Sequence, residues 1–257
     1  MSFFQTTVED RVAIVTYSRP PANALSQAVL TSLNELLTEL EENKEVRAIV
    51  LKGEGRFFSA GADIKEFTTV TTEDGFAELG KGGQDVFERM ETLSKPIIAA
   101  IHGAALGGGL ELAMGCHLRL VTPNAKLGLP ELQLGLVPGF AGTQRLPRLI
   151  GSAKAAELLF TSEPLTGEEA VQWGLANRVV EEEKLFDEAI VLAKKIAEKS
   201  PVALKETISL LNYSKSKNFY EGVKKEQAAF GRVFTSKDGQ EGIAAFLQKR
   251  KPTFTGE

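Results

Sequence analysis

An apolar strand, a turn rich in glycine and alanine, and a short helix follow one another over residues 48–66. The same order recurs over 97–115 and, more faintly, over 125–136. One such unit cannot bury its own apolar face, so a chain that repeats it stacks the units against each other. This points to an α/β fold. The strand runs at 12–17, 46–51, 96–101 and 117–121 are short and rich in β-branched residues. Between the first two, Ser26 reads as an N-cap, and Leu30, Leu33, Leu36, Leu37 and Leu40 recur at helical spacing. Residues 68–84 are polar and contain glycine; they read as a mobile loop or loosely formed helix ahead of a helix at 86–93.

Beyond residue 150 strand signals nearly vanish. Segments 152–160, 167–173, 182–199, 201–211, 219–234 and 236–249 read as helices, with Pro201 suited to a first turn. The expected division is an α/β core over 1–195 and a helical region over 196–257, with no Pro-, Gly- or Ser-rich linker between them.

Composition excludes several function classes. Thirty Lys and Arg face 34 Asp and Glu, giving a net charge of −4. A nucleic-acid partner held by a global basic field is not expected. One cysteine, Cys116, forbids an internal disulfide and fits a reducing compartment, so a cytoplasmic location is expected. With only two histidines no metal site is expected. The most apolar stretch, 97–115, carries His102 and Glu111 and makes a poor membrane span. The N-terminus lacks a basic-then-apolar targeting pattern.

Familiar nucleotide and nucleophile motifs fail. Gly75 to Gly82 nearly spells a phosphate loop, but Gly82 stands where Ser or Thr must reach a magnesium. Gly107-Gly108-Gly109 lacks the third spaced glycine of a dinucleotide fingerprint. There is no G-x-S-x-G elbow. His102 and His117 read as a capped turn and a hydrogen-bonded strand end.

Three pieces remain. Ser59-Ala60-Gly61-Ala62-Asp63-Ile64-Lys65 is a small-residue turn opening into a helix. Gly107-Gly108-Gly109 precedes Leu110-Glu111. Both turns bare backbone N–H groups at a helix start. Glu131 follows Pro130 among apolar neighbours, as Glu111 does in LELAMG. Together they offer two backbone donors and two carboxylates, and no other chemistry.

The runs FFSAGADIKE (57–66), KPIIAAIHGAALGGGLELAM (95–114) and KLGLPELQLGLVPGFAGTQRLPRLIG (126–151) resemble the enoyl-CoA hydratase (crotonase) family, and the likeness extends to the ending FLQKRKPTF. The resemblance implies a spiral of strand–strand–helix units with a C-terminal helical region that assembles trimers or dimers of trimers. It implies that the amides of Ala62 and Gly108 form an oxyanion hole for the thioester carbonyl of an acyl-CoA. By the same likeness Glu131 handles the proton at C2 while Glu111 assists the water. Two carboxylates about 6 Å apart repel by about 3 kcal/mol at an effective dielectric of 20, so one is expected to be protonated while the other is ionised. Ala60, Ala62, Asp63, Ile64, Lys65 and Gly108 correspond to the stretch that holds CoA, with Lys65 a phosphate contact. Lys249, in a basic tail with Arg250 and Lys251, corresponds to one that reaches CoA, often from a neighbouring subunit. No cofactor is implied, the CoA thioester being the substrate. The activity implied is hydration of 2-enoyl-CoA in fatty-acid β-oxidation or related acyl-CoA catabolism. The alternatives are a double-bond isomerase, which needs only one base, and a non-catalytic CoA- or RNA-binding protein of this fold. The chain departs from the family pattern at His117, where many members have Asp, and at Ala141, which replaces a Gly.

Overall fold

A computed structural model describes residues 3–199, 201–213, 220, 231, 234–235, 237–250 and 252. Most of the helix expected at 219–234, together with Ser236 and Lys251, lies outside the described residues. The main sheet has six strands: β1 (Phe4–Glu9), β2 (Val12–Tyr17), β3 (Ala48–Gly53), β4 (Ile97–Ile101), β6 (Leu118–Val121) and β8 (Arg178–Val179), in that spatial order. Within this sheet, among the described residues, only the β1–β2 pair is antiparallel. A second, two-stranded sheet pairs β5 (Ala104–Leu106) with β7 (Lys126–Gly128).

The strands alternate sides, as period-2 geometry requires. Ile49, Leu51, Ile97, Ala99 and Ile101 enter one core with α1 (Gln27–Glu42) and α3 (Glu73–Thr92). Ala48, Val50, Ile98 and Ala100 enter a second core, against Ala189, Ala193 and Ala197 of α8 (Leu185–Ala197). Alanines four residues apart form one flat stripe, which lets α8 lie close to the sheet. α8 ends two residues past the boundary expected at 195.

Each repeat is one turn of a spiral. β3 leads to Ser59, which bridges Ala105 of the small sheet, and then to the short α2 (Ile64–Phe67). β4 leads to β5 and then α4 (Gly108–Gly115). β6 leads to β7 and then a 3₁₀ turn at Glu131–Leu134. This is the strand–strand–helix spiral of the crotonase fold.

Of the segment that reads as a mobile loop or loosely formed helix, residues 73–84 are helical and form the first part of α3. Thr72 caps it through a bond from the Gly75 amide, Glu73 and Asp74 occupy its first turn, and the near-phosphate-loop lies inside it. β1 escaped because only Phe4 on it is buried, which leaves no alternation to read. No described helix is long and apolar enough to cross a membrane.

Candidate active site

The spiral brings the start of its helix to the same place in three successive turns. α2 presents Ala62 and Asp63, α4 presents Gly108 and Glu111, and the 3₁₀ turn presents Glu131. All of these line one cavity of about 330 Å³, joined by Ala60, Ile64, Lys65, Phe246 and Leu247. Lys249 does not line it; this residue is exposed just beyond the Lys237–Leu247 helix.

The two amides are neighbours. A Cβ on Gly61 would stand 3.3 Å from the Gly108 nitrogen, and one on Gly108 would stand 3.2 Å from the Ala62 nitrogen. Gly61 has φ +104° and Gly107 φ +52°, backbone that L side chains rarely adopt. Leu25 and Ala62 form a parallel bridge through Leu25 N–H to Gly61 O and Asp63 N–H to Leu25 O, each 2.8 Å. That pattern leaves the Ala62 amide outside the ladder. Gly108 opens α4, so its amide has no acceptor within the helix. Among the described residues neither amide donates a hydrogen bond.

Glu111 is 1% exposed. Its Oε1 accepts from the amides of Phe140 (2.8 Å) and Gly142 (2.7 Å), so this oxygen carries no proton. Glu131 is half-buried, and its Oε1 lies 2.9 Å from where a Cβ on Gly107 would sit. A side chain at 107 would therefore intrude on this carboxylate.

Surrounding polar groups fix the first turn. Asp63 Oδ1 accepts from the Lys65 amide at 3.1 Å and caps α2, while its Oδ2 pairs with Arg19 at 2.5 Å. The carboxylate thereby ties the 60–65 turn to the loop after β2. The Tyr17 hydroxyl donates to Ala24 O at 2.7 Å, and burial pushes its pKa up, keeping it a donor. Both histidines serve structure. Nδ1 of His117 accepts from the Ile97 amide at 3.0 Å, and Nε2 of His102 lies 2.7 Å from Gly55 O.

Reasoning from sequence missed the groups that hold Glu111. They are backbone amides of the run PGFAGTQR (138–145), which no residue type along the sequence announces.

The model of the enoyl-CoA hydratase/isomerase family matches residues 7–257. A Bacillus subtilis protein named probable enoyl-CoA hydratase is 52% identical over 259 residues, covering all of both chains. The short-chain-enoyl-CoA hydratase of Clostridium acetobutylicum is 42% identical, with 95% of this chain and 94% of that protein aligned. Among solved structures, an enoyl-CoA hydratase from Bacillus anthracis superposes with a TM-score of 0.79 at 37% identity, covering 99% of this chain and all of the other. On this full-length agreement in sequence and fold, the chain belongs to the enoyl-CoA hydratase/isomerase family.

Proposed function

We propose that this protein is an enoyl-CoA hydratase, adding water reversibly across the 2,3 double bond of 2-enoyl-CoA thioesters to give 3-hydroxyacyl-CoA. The observation that carries the reading is the meeting of two carboxylates and two undonated amides on one cavity. The relatives named as hydratases favour hydration over double-bond isomerisation. The retained Glu111 favours it too, since an isomerase can shuttle one proton on one base.

In this reading the thioester carbonyl accepts from the amides of Ala62 and Gly108. As water attacks C3, negative charge collects on that oxygen. Each donor aimed at it contributes about 3 kcal/mol to the transition state. Glu111 orients the water and takes the proton it loses on attacking C3, Glu131 delivers its own proton to C2, and the reverse reaction exchanges these duties. Lys65 contacts a CoA phosphate at the cavity mouth, and Lys249 reaches CoA from its own or a neighbouring subunit. No cofactor takes part, because the thioester itself supplies the electron-accepting carbonyl. We assign the activity to fatty-acid β-oxidation or related acyl-CoA catabolism in the cytoplasm, by a homotrimer or dimer of trimers.

Loss of the conjugated enoyl-thioester absorbance, followed with short-, medium- and long-chain substrates, tests the proposal. Glu111→Gln and Glu131→Gln should each lose about a hundredfold or more in kcat. Full-rate hydration by Glu111→Gln removes Glu111 from the chemistry, whereas migration of a 3,4 double bond into conjugation with no hydration shifts the reading to the isomerase. Tight CoA binding without turnover of any substrate shifts it to the binding protein.

A further inference from the structure

We propose that Gln84 and Arg145 are positioning residues for Glu111, acting through the turn at 139–142. The proposal rests on the role given to Glu111 above and concerns what holds that carboxylate in place. The turn grips Glu111 with its amides and is itself gripped by its carbonyls. Gln84 Nε2 donates to Gly139 O at 2.9 Å, and Arg145 Nη1 donates to Phe140 O at 2.7 Å. Between these anchors the amides of Phe140 and Gly142 converge on Glu111 Oε1. Ala141, with φ +70°, supplies the left-handed residue that turns successive amides toward one anion.

The second support comes from one face of α3. Gln84, Phe87 and Glu91 stand at i, i+3 and i+7, so they share that face. Phe87 packs edge-on against the Phe140 ring at 5.6 Å. Glu91 pairs with Arg145, Oε1 to Nε at 3.1 Å and Oε2 to Nη2 at 3.4 Å. Gln84 and Arg145 are each 3% exposed. Burying an arginine costs several kcal/mol in desolvation, and apolar residues of similar volume often stabilise as well or better. What an apolar replacement cannot supply is a donor for the Phe140 carbonyl. The buried charge therefore serves the direction of the turn, and through it the carboxylate.

Arg145→Met and Gln84→Met keep much of the side-chain bulk and remove the donors. Each should lower kcat by about tenfold or more while leaving KM within about threefold, because misplacing a reacting group by about 1 Å costs up to a hundredfold in rate. Arg145→Lys, which keeps a cationic donor, should recover part of the loss. In a Glu111→Gln background, Arg145→Met should add less than about twofold, since groups acting as one unit are non-additive. A purely structural arginine would cost its full factor in both backgrounds, and that result overturns the proposal. If Arg145→Met fails to fold, Gln84→Met in the two backgrounds decides the matter in the same way. Wild-type kcat in both Met variants beside a crippled Glu111→Gln refutes the positioning role alone. Wild-type rate in Glu111→Gln refutes the catalytic reading and this proposal with it.

Discussion

Gly242 of the Lys237–Leu247 helix lies so close to Leu134 that a methyl group on it would overlap the Leu134 carbonyl oxygen. Leu134 ends the 3₁₀ turn that begins with Glu131. The C-terminal helix is therefore seated directly on the backbone that carries one of the two cavity carboxylates. Gly242→Ala should displace that turn. Overpacking of this kind costs about 1–3 kcal/mol in stability. We expect a lower thermal midpoint together with a kcat loss of about tenfold, as a shifted catalytic group produces. A variant that melts early but turns over at the wild-type rate would show that the helix supports the fold without setting Glu131.

Ala141 offers a test in the opposite sense. It is fully buried and left-handed, where the family pattern has glycine. Glycine there would relieve about 1–2 kcal/mol of backbone strain. Against this stand about 0.8 kcal/mol of lost methyl burial and about 0.4–1 kcal/mol of added unfolded-chain entropy. The terms nearly cancel, so Ala141→Gly should change stability by less than about 1 kcal/mol in denaturant titration. Ala141→Val combines a β-branched side chain with the same φ and full burial, and should cost more than about 2 kcal/mol. Equal stability of the two variants would argue against the left-handed backbone at this position.

The parts of the fold legible in the sequence are those that bury an apolar pattern. α1 shows its leucine stripe and its Ser26 cap, which accepts from the Val29 amide at 3.3 Å. β3 and β4 show continuous apolar runs, because both of their faces are covered. The first half of α3 was hidden because part of what it buries is not apolar: Gly80, Gly83 and Gln84 stand beside Phe76. β5 and β7 are three residues each: β5 overlaps a segment that reads as a glycine-rich turn, and β7 opens the faintest of the three strand–turn–helix units. Ala62, Gly108, Glu111 and Glu131 stood out because small residues at helix starts and carboxylates among apolar neighbours are unusual in combination. Gln84 and Arg145 did not, since each satisfies a distant backbone carbonyl that no spacing along the chain announces.

Cys116 should be inert in the native protein. It lies at the C-terminal end of α4, 3% exposed, with Sγ 3.6 Å from Leu112 O. Burial pushes its thiol pKa up to about 12, although the nearby Arg119 guanidinium works the other way. The thiolate is the reactive form, so at pH 8 almost none is present and none is accessible. Ellman's reagent should release one equivalent of chromophore in denaturant, and should react with the native protein at least about a hundredfold more slowly. Fast native labelling would mean that α4, and with it the Gly108 amide, opens readily.

Glu66 should make stability depend on pH with a sign opposite to that of an ordinary paired carboxylate. It sits on α2, where its Oε2 and Oε1 accept from the Gln27 amide at 2.9 and 3.2 Å, at the start of α1. Burial raises its pKa above the ordinary 4.5; the bond from Gln27 opposes this, nearby Asp63 adds to the rise, and Arg19 works against it. The folded state thus holds this proton more tightly than the unfolded chain does. As pH falls through the raised folded-state value toward 4.5, protonation at Glu66 favours the native form, and the gain is complete below the unfolded value. Glu66→Gln keeps an acceptor for Gln27 but cannot titrate. The thermal midpoint of the wild type relative to Glu66→Gln should therefore rise as pH is lowered from 7 to about 4, a window that spans both values. A relative midpoint that falls with acid would place Glu66 among carboxylates stabilised by their charge and would contradict an environment dominated by burial.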